Sequence, residues 1–127
     1  MTPAFKITRR HLLTTLSATT LTGLSGLVQA QNFPSKTMTF VVPYPAGGAN
    51  DMLGRLIGQK MAEALGGNAV VDNKPGAGAL LGASAVARAA ADGHTLLIGG
   101  LATHAASPHM LKADYDPLKD FESVGMI

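Results

Sequence analysis

The chain has 127 residues, enough for one domain at most on the usual prior of ~100–200 residues per domain. Hydrophobic residues make up 46% and charged residues 14%, which excludes a disordered or highly charged chain. There is no cysteine, which excludes a disulfide framework and Cys-ligated zinc or iron–sulfur sites, and the formal net charge of +2 comes with no basic stripe of the kind nucleic acid requires.

Residues 1–30 read as a signal peptide. Lys6, Arg9 and Arg10 form a basic n-region, and Leu12 to Val28 is apolar but diluted by Thr, Ser and Gly. Val28-Gln29-Ala30 supplies the small residues of a cleavage site after Ala30. The run is too short and too polar to span a membrane, which takes ~20 predominantly apolar residues. Thr8-Arg9-Arg10-His11-Leu12-Leu13 resembles a twin-arginine signal, yet paired arginines also occur in Sec signals, and both routes stay open. Cleavage leaves seven basic against eight acidic residues, a net charge of −1, so the basic character belongs to the leader. The expected location is the periplasm.

After a short polar lead, Met38 to Val42 is the first predicted strand. Phe40-Val41-Val42 is an unbroken apolar run, as expected of a strand covered on both faces. Pro43 and Pro45 stop it, because proline cannot donate to a ladder. Gly47 and Gly48 then let the backbone turn tightly. Asn50 is the expected N-cap, with Asp51 in the first helical turn, where the dipole favours a negative charge. Backbone N–H groups at such a start lack intrahelical partners and make an anion site. The helix is expected over Asp51–Leu65, with an apolar stripe of Leu53, Leu56, Ile57, Met61, Ala64 and Leu65. Arg55, Gln59, Lys60 and Glu63 lie on its solvated side. Gly66-Gly67 closes it.

Ala69 to Asp72 is the second strand, and Asn73-Lys74-Pro75-Gly76-Ala77-Gly78 a second Gly/Pro turn. An alanine-rich helix follows over about Leu80–Ala90, then a third strand over His94–Ile98. Gly99, Gly100, Thr103 and His104 are expected in a loop. Tyr115-Asp116-Pro117 is a turn, and Asp120 to Ile127 begins what looks like another strand. This is a parallel β-α-β-α-β sheet of the α/β class with right-handed crossovers. Three loops, 43–51, 73–79 and 99–107, then follow strand C-terminal ends, where open α/β sheets bind ligands.

Enzyme readings fare poorly. Gly76-Ala77-Gly78-Ala79-Leu80-Leu81-Gly82 is one residue off the dinucleotide fingerprint and follows the second strand rather than the first. Gly-Lys-Ser/Thr is absent, and Ser84 and Ser107 lack nucleophile-elbow flanks. Asp51 and His104 could form an acid/base pair but have no nucleophile or metal to serve. His104 and His109 have no carboxylate arranged around them as co-ligands. No enzyme activity, cofactor or metal is expected; a small Rossmann-like enzyme domain is the minor alternative.

Val42-Pro43-Tyr44-Pro45-Ala46-Gly47-Gly48-Ala49-Asn50-Asp51 resembles the signature of Bug-type solute-binding proteins, the extracytoplasmic receptors of tripartite tricarboxylate transporters. Four further segments match in order: Asp72 to Gly78, Ala91 to Leu97, Thr103 to Pro108 and Tyr115 to Phe121. The resemblance implies a two-domain, periplasmic-binding-protein-like fold of type II kind, with a cleft that closes by a hinge on a small carboxylate. It implies no nucleic acid, a monomer, and membrane transporter subunits as partners of a complete receptor. Matched residue by residue, Tyr44, Ala46, Gly47, Gly48, Asn50 and Asp51 fall on the first ligand element, and Thr103 and His104 on the loop after the third strand. Gly76 and Gly78 fall on the second turn, where they shape the backbone or touch ligand. Asn50 stands where Thr or Ser is commoner. Family chains continue well beyond this length into a second domain. Residues 31–127 are therefore expected to be the N-terminal part of the first domain, whether of a receptor or of a truncated, non-functional product. Asp51 has two possible roles here: stabilising the helix start, or accepting from a ligand or bridging water.

Overall fold

The computed structural model describes residues 32–126, so the leader and its cleavage site lie outside the described residues. Three parallel strands form the sheet: β1 (Met38–Val42), β2 (Ala69–Asn73) and β3 (Thr95–Leu97), in the order β2-β1-β3. Phe40 pairs with Val71 on one side and Leu96 on the other. The central place of β1 explains its composition. Met38, Phe40, Val41 and Val42 are all buried, as the unbroken apolar run predicts.

Right-handed crossovers to opposite sides of β1 put the two helices on opposite faces. The side chains confirm it by strand alternation. Met38, Phe40, Val42 and Ile98 form one core cluster, against Ile57, Met61 and Ala62 of helix α1 (Ala49–Leu65). Leu97 turns the other way, toward Leu80, Ala83 and Tyr115, beneath helix α2 (Leu80–Ala87).

The structure corrects the expected face of α1. Leu53, Leu56 and Leu65 are exposed, and the buried positions are Asp51, Gly54 and Gly58. A Cβ on Gly54 would stand 2.8 Å from Val42 Cγ2, and one on Gly58 3.2 Å from the Phe40 ring. The helix lies so close to β1 that only glycine fits between. The start of α1 also moves. It begins at Ala49, with Gly48 in extended conformation at the cap position, so Asn50 is inside the helix and caps nothing. Gly66, at φ +67°, ends α1 in the expected left-handed cap, its N–H bonded to Ala62 O.

Three other expectations change. Helix α2 stops at Ala87 rather than Ala90. The stretch after β3 is helical: a π-turn over Ala102–Ala106 runs into α3 (Ser107–Met110). The last segment, 121–126, joins no strand among the described residues, and Val124 and Met126 stand exposed. Phe121 is the last apolar anchor, edge-on to Tyr115 at 5.5 Å and to His104 at 5.2 Å.

Candidate functional site

The β1–α1 turn is held from inside the helix. Gly47 takes φ +85°, a conformation that favours glycine. Asp51, at the third helical position, reaches back to it: Oδ2 accepts from Gly47 N at 2.8 Å. Arg55, one turn on, donates from Nε to Oδ2 at 3.1 Å and from Nη2 to Oδ1 at 3.0 Å, a side-on two-point pair. Asn73 Nδ2 donates to Oδ1 at 3.0 Å and to Tyr44 O at 3.2 Å. Asp51 is only 3% exposed. The Gly47 N–H first, then Arg55 and Asn73, lower its pKa to about 2. Its carboxylate is therefore committed to internal partners. Ala46, Gly47 and Gly48 are exposed above it, and Tyr44 and Asn50 are half-buried.

The second turn is left-handed. Gly76, Ala77, Gly78 and Ala79 have φ of 137°, 47°, 62° and 75° in succession. Two of them are alanines, and a left-handed L-residue costs ~1–2 kcal/mol. The third element supports this turn: Ser107 Oγ donates to Gly78 O at 2.6 Å, and a Cβ on Gly78 would sit 2.8 Å from that same Oγ. Glycine at 78 is thus set by close packing as well as by φ.

Thr103 organises the third element from beneath. It is fully buried, and its Oγ1 accepts from Gly100 N at 2.9 Å, with Gly100 O at 3.0 Å and His104 Nδ1 at 2.8 Å. Tyr115 O–H donates to Thr103 O at 2.6 Å, and burial raises the pKa of its phenol. This local capping is why a stretch opened by two glycines folds as a helix. His104 is half-buried beside Gly99.

All three elements leave the C-terminal ends of parallel strands. Asn73 ties the first turn to the second, and Ser107 ties the second to the third. The expected site residues therefore share one rim. Its exposed parts are residues 46–48, 76–78 and 99–101; Asp51 and Thr103 lie below the surface. The sequence reading gave Arg55, Asn73 and Ser107 no part in the site: it set Arg55 on the solvated side of the helix, whereas the guanidinium pairs with buried Asp51. The i,i+4 spacing of Asp51 and Arg55 was the available signal for the first. A recess of about 810 Å³ between α1 and β2 is lined by Gly58, Ala62 and Val71, reaches Gly66–Asn68 at the opposite end of the sheet, and meets the first turn only through Arg55.

The parallel α/β sheet with its helices matches solved periplasmic-binding-protein-like structures, and the fold is of that class. The profile of the tripartite tricarboxylate transporter family receptor matches residues 53–127, and the chain belongs to that family. It is 45% identical over 111 residues to the UPF0065 protein in the TAR-I ttuE-ttuC' intergenic region of Agrobacterium vitis, covering 85% of this chain and 32% of that one. It is 34% identical over 107 residues to protein BugT of Bordetella pertussis, covering 83% and 33%. Among solved structures it resembles MatC from Rhodopseudomonas palustris with bound malate, at 48% identity and TM-score 0.66, over 70% of this chain and 31% of that one. The chain thus spans about a third of the length of the relatives it matches. The family is one of solute-binding receptors, not enzymes, which removes the Rossmann-enzyme alternative.

Proposed function

We propose that this chain forms one wall of a small-carboxylate cleft in a periplasmic receptor that delivers its ligand to a tripartite transporter. The observation that carries this is the linked rim, with residues 46–48 and 76–78 exposed and the Asp51 carboxylate beneath them tied down internally. The likeness to MatC, which holds malate, supports the ligand class. In this reading Tyr44, Ala46, Gly47, Gly48 and Asn50 form the first ligand element, with Asp51 behind them. Gly76 and Gly78 shape the second, and Thr103 and His104 set the third. Residues 31–127 are the N-terminal part of the first domain, and the receptor works as a monomer.

One wall leaves a carboxylate largely solvated. Each hydrogen bond then exchanges with water for only ~0.5–1.5 kcal/mol net. Two or three such bonds must offset several kcal/mol of lost ligand freedom, so millimolar affinity is expected, on the order of −4 kcal/mol. Calorimetric titration with malate and with its uncharged diamide tests the reading. Millimolar malate binding with no response to the diamide is expected; equal response to both contradicts a carboxylate site. Micromolar malate binding would contradict the need for a second wall.

The leader carries its own prediction. Basic residues, an apolar run and Val28-Gln29-Ala30 place the start of the exported chain at Gln31. Mass spectrometry of periplasmic protein should find that terminus; an intact Met1 there would refute it. Replacing Arg9 and Arg10 with Lys should block export only on the twin-arginine route.

A further inference from the structure

A carboxylate in the first turn of a helix opposes the binding of an anion at that same helix start. Like charges repel, so an anion site here requires the Asp51 charge to be neutralised and turned away. Arg55 supplies the counter-charge, and Gly47 N–H holds Oδ2. Neither fixes the turn to the sheet by itself, because Gly47 is part of the turn and Arg55, which shares α1 with Asp51, meets β2 through Asn73. Asn73 does. It ends β2 opposite Val42, and the next residue, Lys74, donates its N–H to Val42 O at 2.8 Å. From that rigid position one amide nitrogen grips both ends of the turn, Tyr44 O and Asp51 Oδ1. The amide oxygen faces Arg55 Nη2 at 3.4 Å, which sets the side chain's orientation. A flipped amide would point its oxygen at the Asp51 carboxylate and its donors at the guanidinium.

We propose that Asn73 is the positioning residue of the first ligand element, fixing Tyr44–Gly48 to the sheet and holding the Asp51 carboxylate below the rim so that the helix start stays open to an anionic ligand. This role rests on the carboxylate reading above and adds to it a residue that touches no ligand. The groups facing Asp51 are Gly47 N–H from the turn, Arg55 from α1 and Asn73 from β2. The charged neighbours of Asn73 in β2 and beyond it, Asp72 and Lys74, pair with each other at 2.8 Å.

The test is nuclear magnetic resonance on the isotope-labelled full chain, without ligand and then with malate. In the parent chain the Gly47 amide proton should be shifted downfield by its carboxylate partner and should follow the titration of Asp51, whose pKa is lowered to about 2. Asn73→Ala should move the Gly47 signal upfield and raise the Asp51 titration toward 3.8, and it should weaken malate binding ~tenfold through lost preorganisation. Asn73→Asp keeps the size and sets a second carboxylate against Asp51. Its malate binding should fall at neutral pH and recover on acidification, as the pair takes up a proton. A residue that only stabilised the end of β2 would move neither the Gly47 signal nor the Asp51 titration. An unchanged Gly47 shift and an unchanged Asp51 titration in both variants would overturn the proposal. A parent chain that shows the Gly47–Asp51 coupling but no response to malate would overturn the carboxylate reading instead, and with it the functional part of this role.

Discussion

Gly82→Val is expected to destabilise the chain by ~1–3 kcal/mol or more, the range for overpacking a filled interior. Gly82 lies on the face of α2 that presses on the start of the β1–α1 turn. A single Cβ there would stand 2.8 Å from Pro43 Cβ, 3.0 Å from Pro43 Cα and 3.0 Å from Lys74 O. Two of these neighbours are backbone atoms, which cannot swing away as a side-chain end can. Pro43 is itself fully buried, so relief requires moving α2, β1 or the second turn. Valine adds three carbons, and the gain in helix propensity over glycine, below ~1 kcal/mol, does not offset them. Small domains hold only ~5–15 kcal/mol in total, so the loss is a large share. Gly100→Ala is the control, because nothing lies within 4 Å of a Cβ there. Urea denaturation should show a clear fall in midpoint for the first variant and none for the second. Equal midpoints for Gly82→Val and the parent would mean that α2 does not pack as described.

Asp51→Asn is expected to lower thermal stability at neutral pH while changing the affinity of all carboxylate ligands by one small common factor. The substitution is nearly isosteric and keeps one acceptor for Gly47 N–H. It removes the charge that Arg55 faces and turns an N–H₂ toward the donors of Arg55 or Asn73. The effect has a defined pH range. The folded-state pKa is about 2 against an ordinary 3.8, so ionised Asp51 contributes stability that is complete above about pH 4. That contribution is lost as pH falls from about 4 through about 2, and the gap between parent and variant should narrow over the same range. Asp92 adds to acid lability in both proteins. Lys36 Nζ at 2.7 Å and the His94 N–H at 3.0 Å lower its pKa to about 2 as well. Unfolding temperatures from pH 7 to pH 2 measure this. A selective loss of amine-bearing ligands in the variant would mean that Asp51 touches the ligand after all.

The parallel β-α-β-α-β pattern and the convergence of three loops on one sheet edge were legible because they rest on strong signals. An unbroken apolar run marks a strand buried on both faces, and β1 is that strand. Glycine and proline mark where strands stop, and three such stops fall on one edge once the strands are parallel. The packing of α1 was hidden for a physical reason. Hydropathy counts side chains, and the buried face of this helix is made where side chains are missing, at Gly54 and Gly58. The leucines on its flank mimicked a core stripe. Asn50 looked like a cap because its residue type favours that position, but Gly48 in extended conformation already fills it. The helix after β3 was obscured by Gly99 and Gly100. What nucleates it is the Thr103 hydroxyl turned back on Gly100, a short-range bond that no periodicity reveals. Asn73 escaped notice because it read as the first residue of a turn. In the fold it is the last of a strand, and its importance comes from Tyr44 and Asp51, distant in sequence.

The central claim is that the rim formed by turns 43–51 and 73–79 and by the helical segment after β3 is where a small carboxylate binds. Mapping malate-induced amide shifts over the labelled chain tests it most directly. The expected result is a saturable millimolar response at Ala46 to Asn50, Gly76 to Leu80 and Gly99 to His104, with the α1–β2 recess around Gly66 to Asn68 unmoved. A response centred on that recess, or scattered over the surface without saturation, would contradict the account.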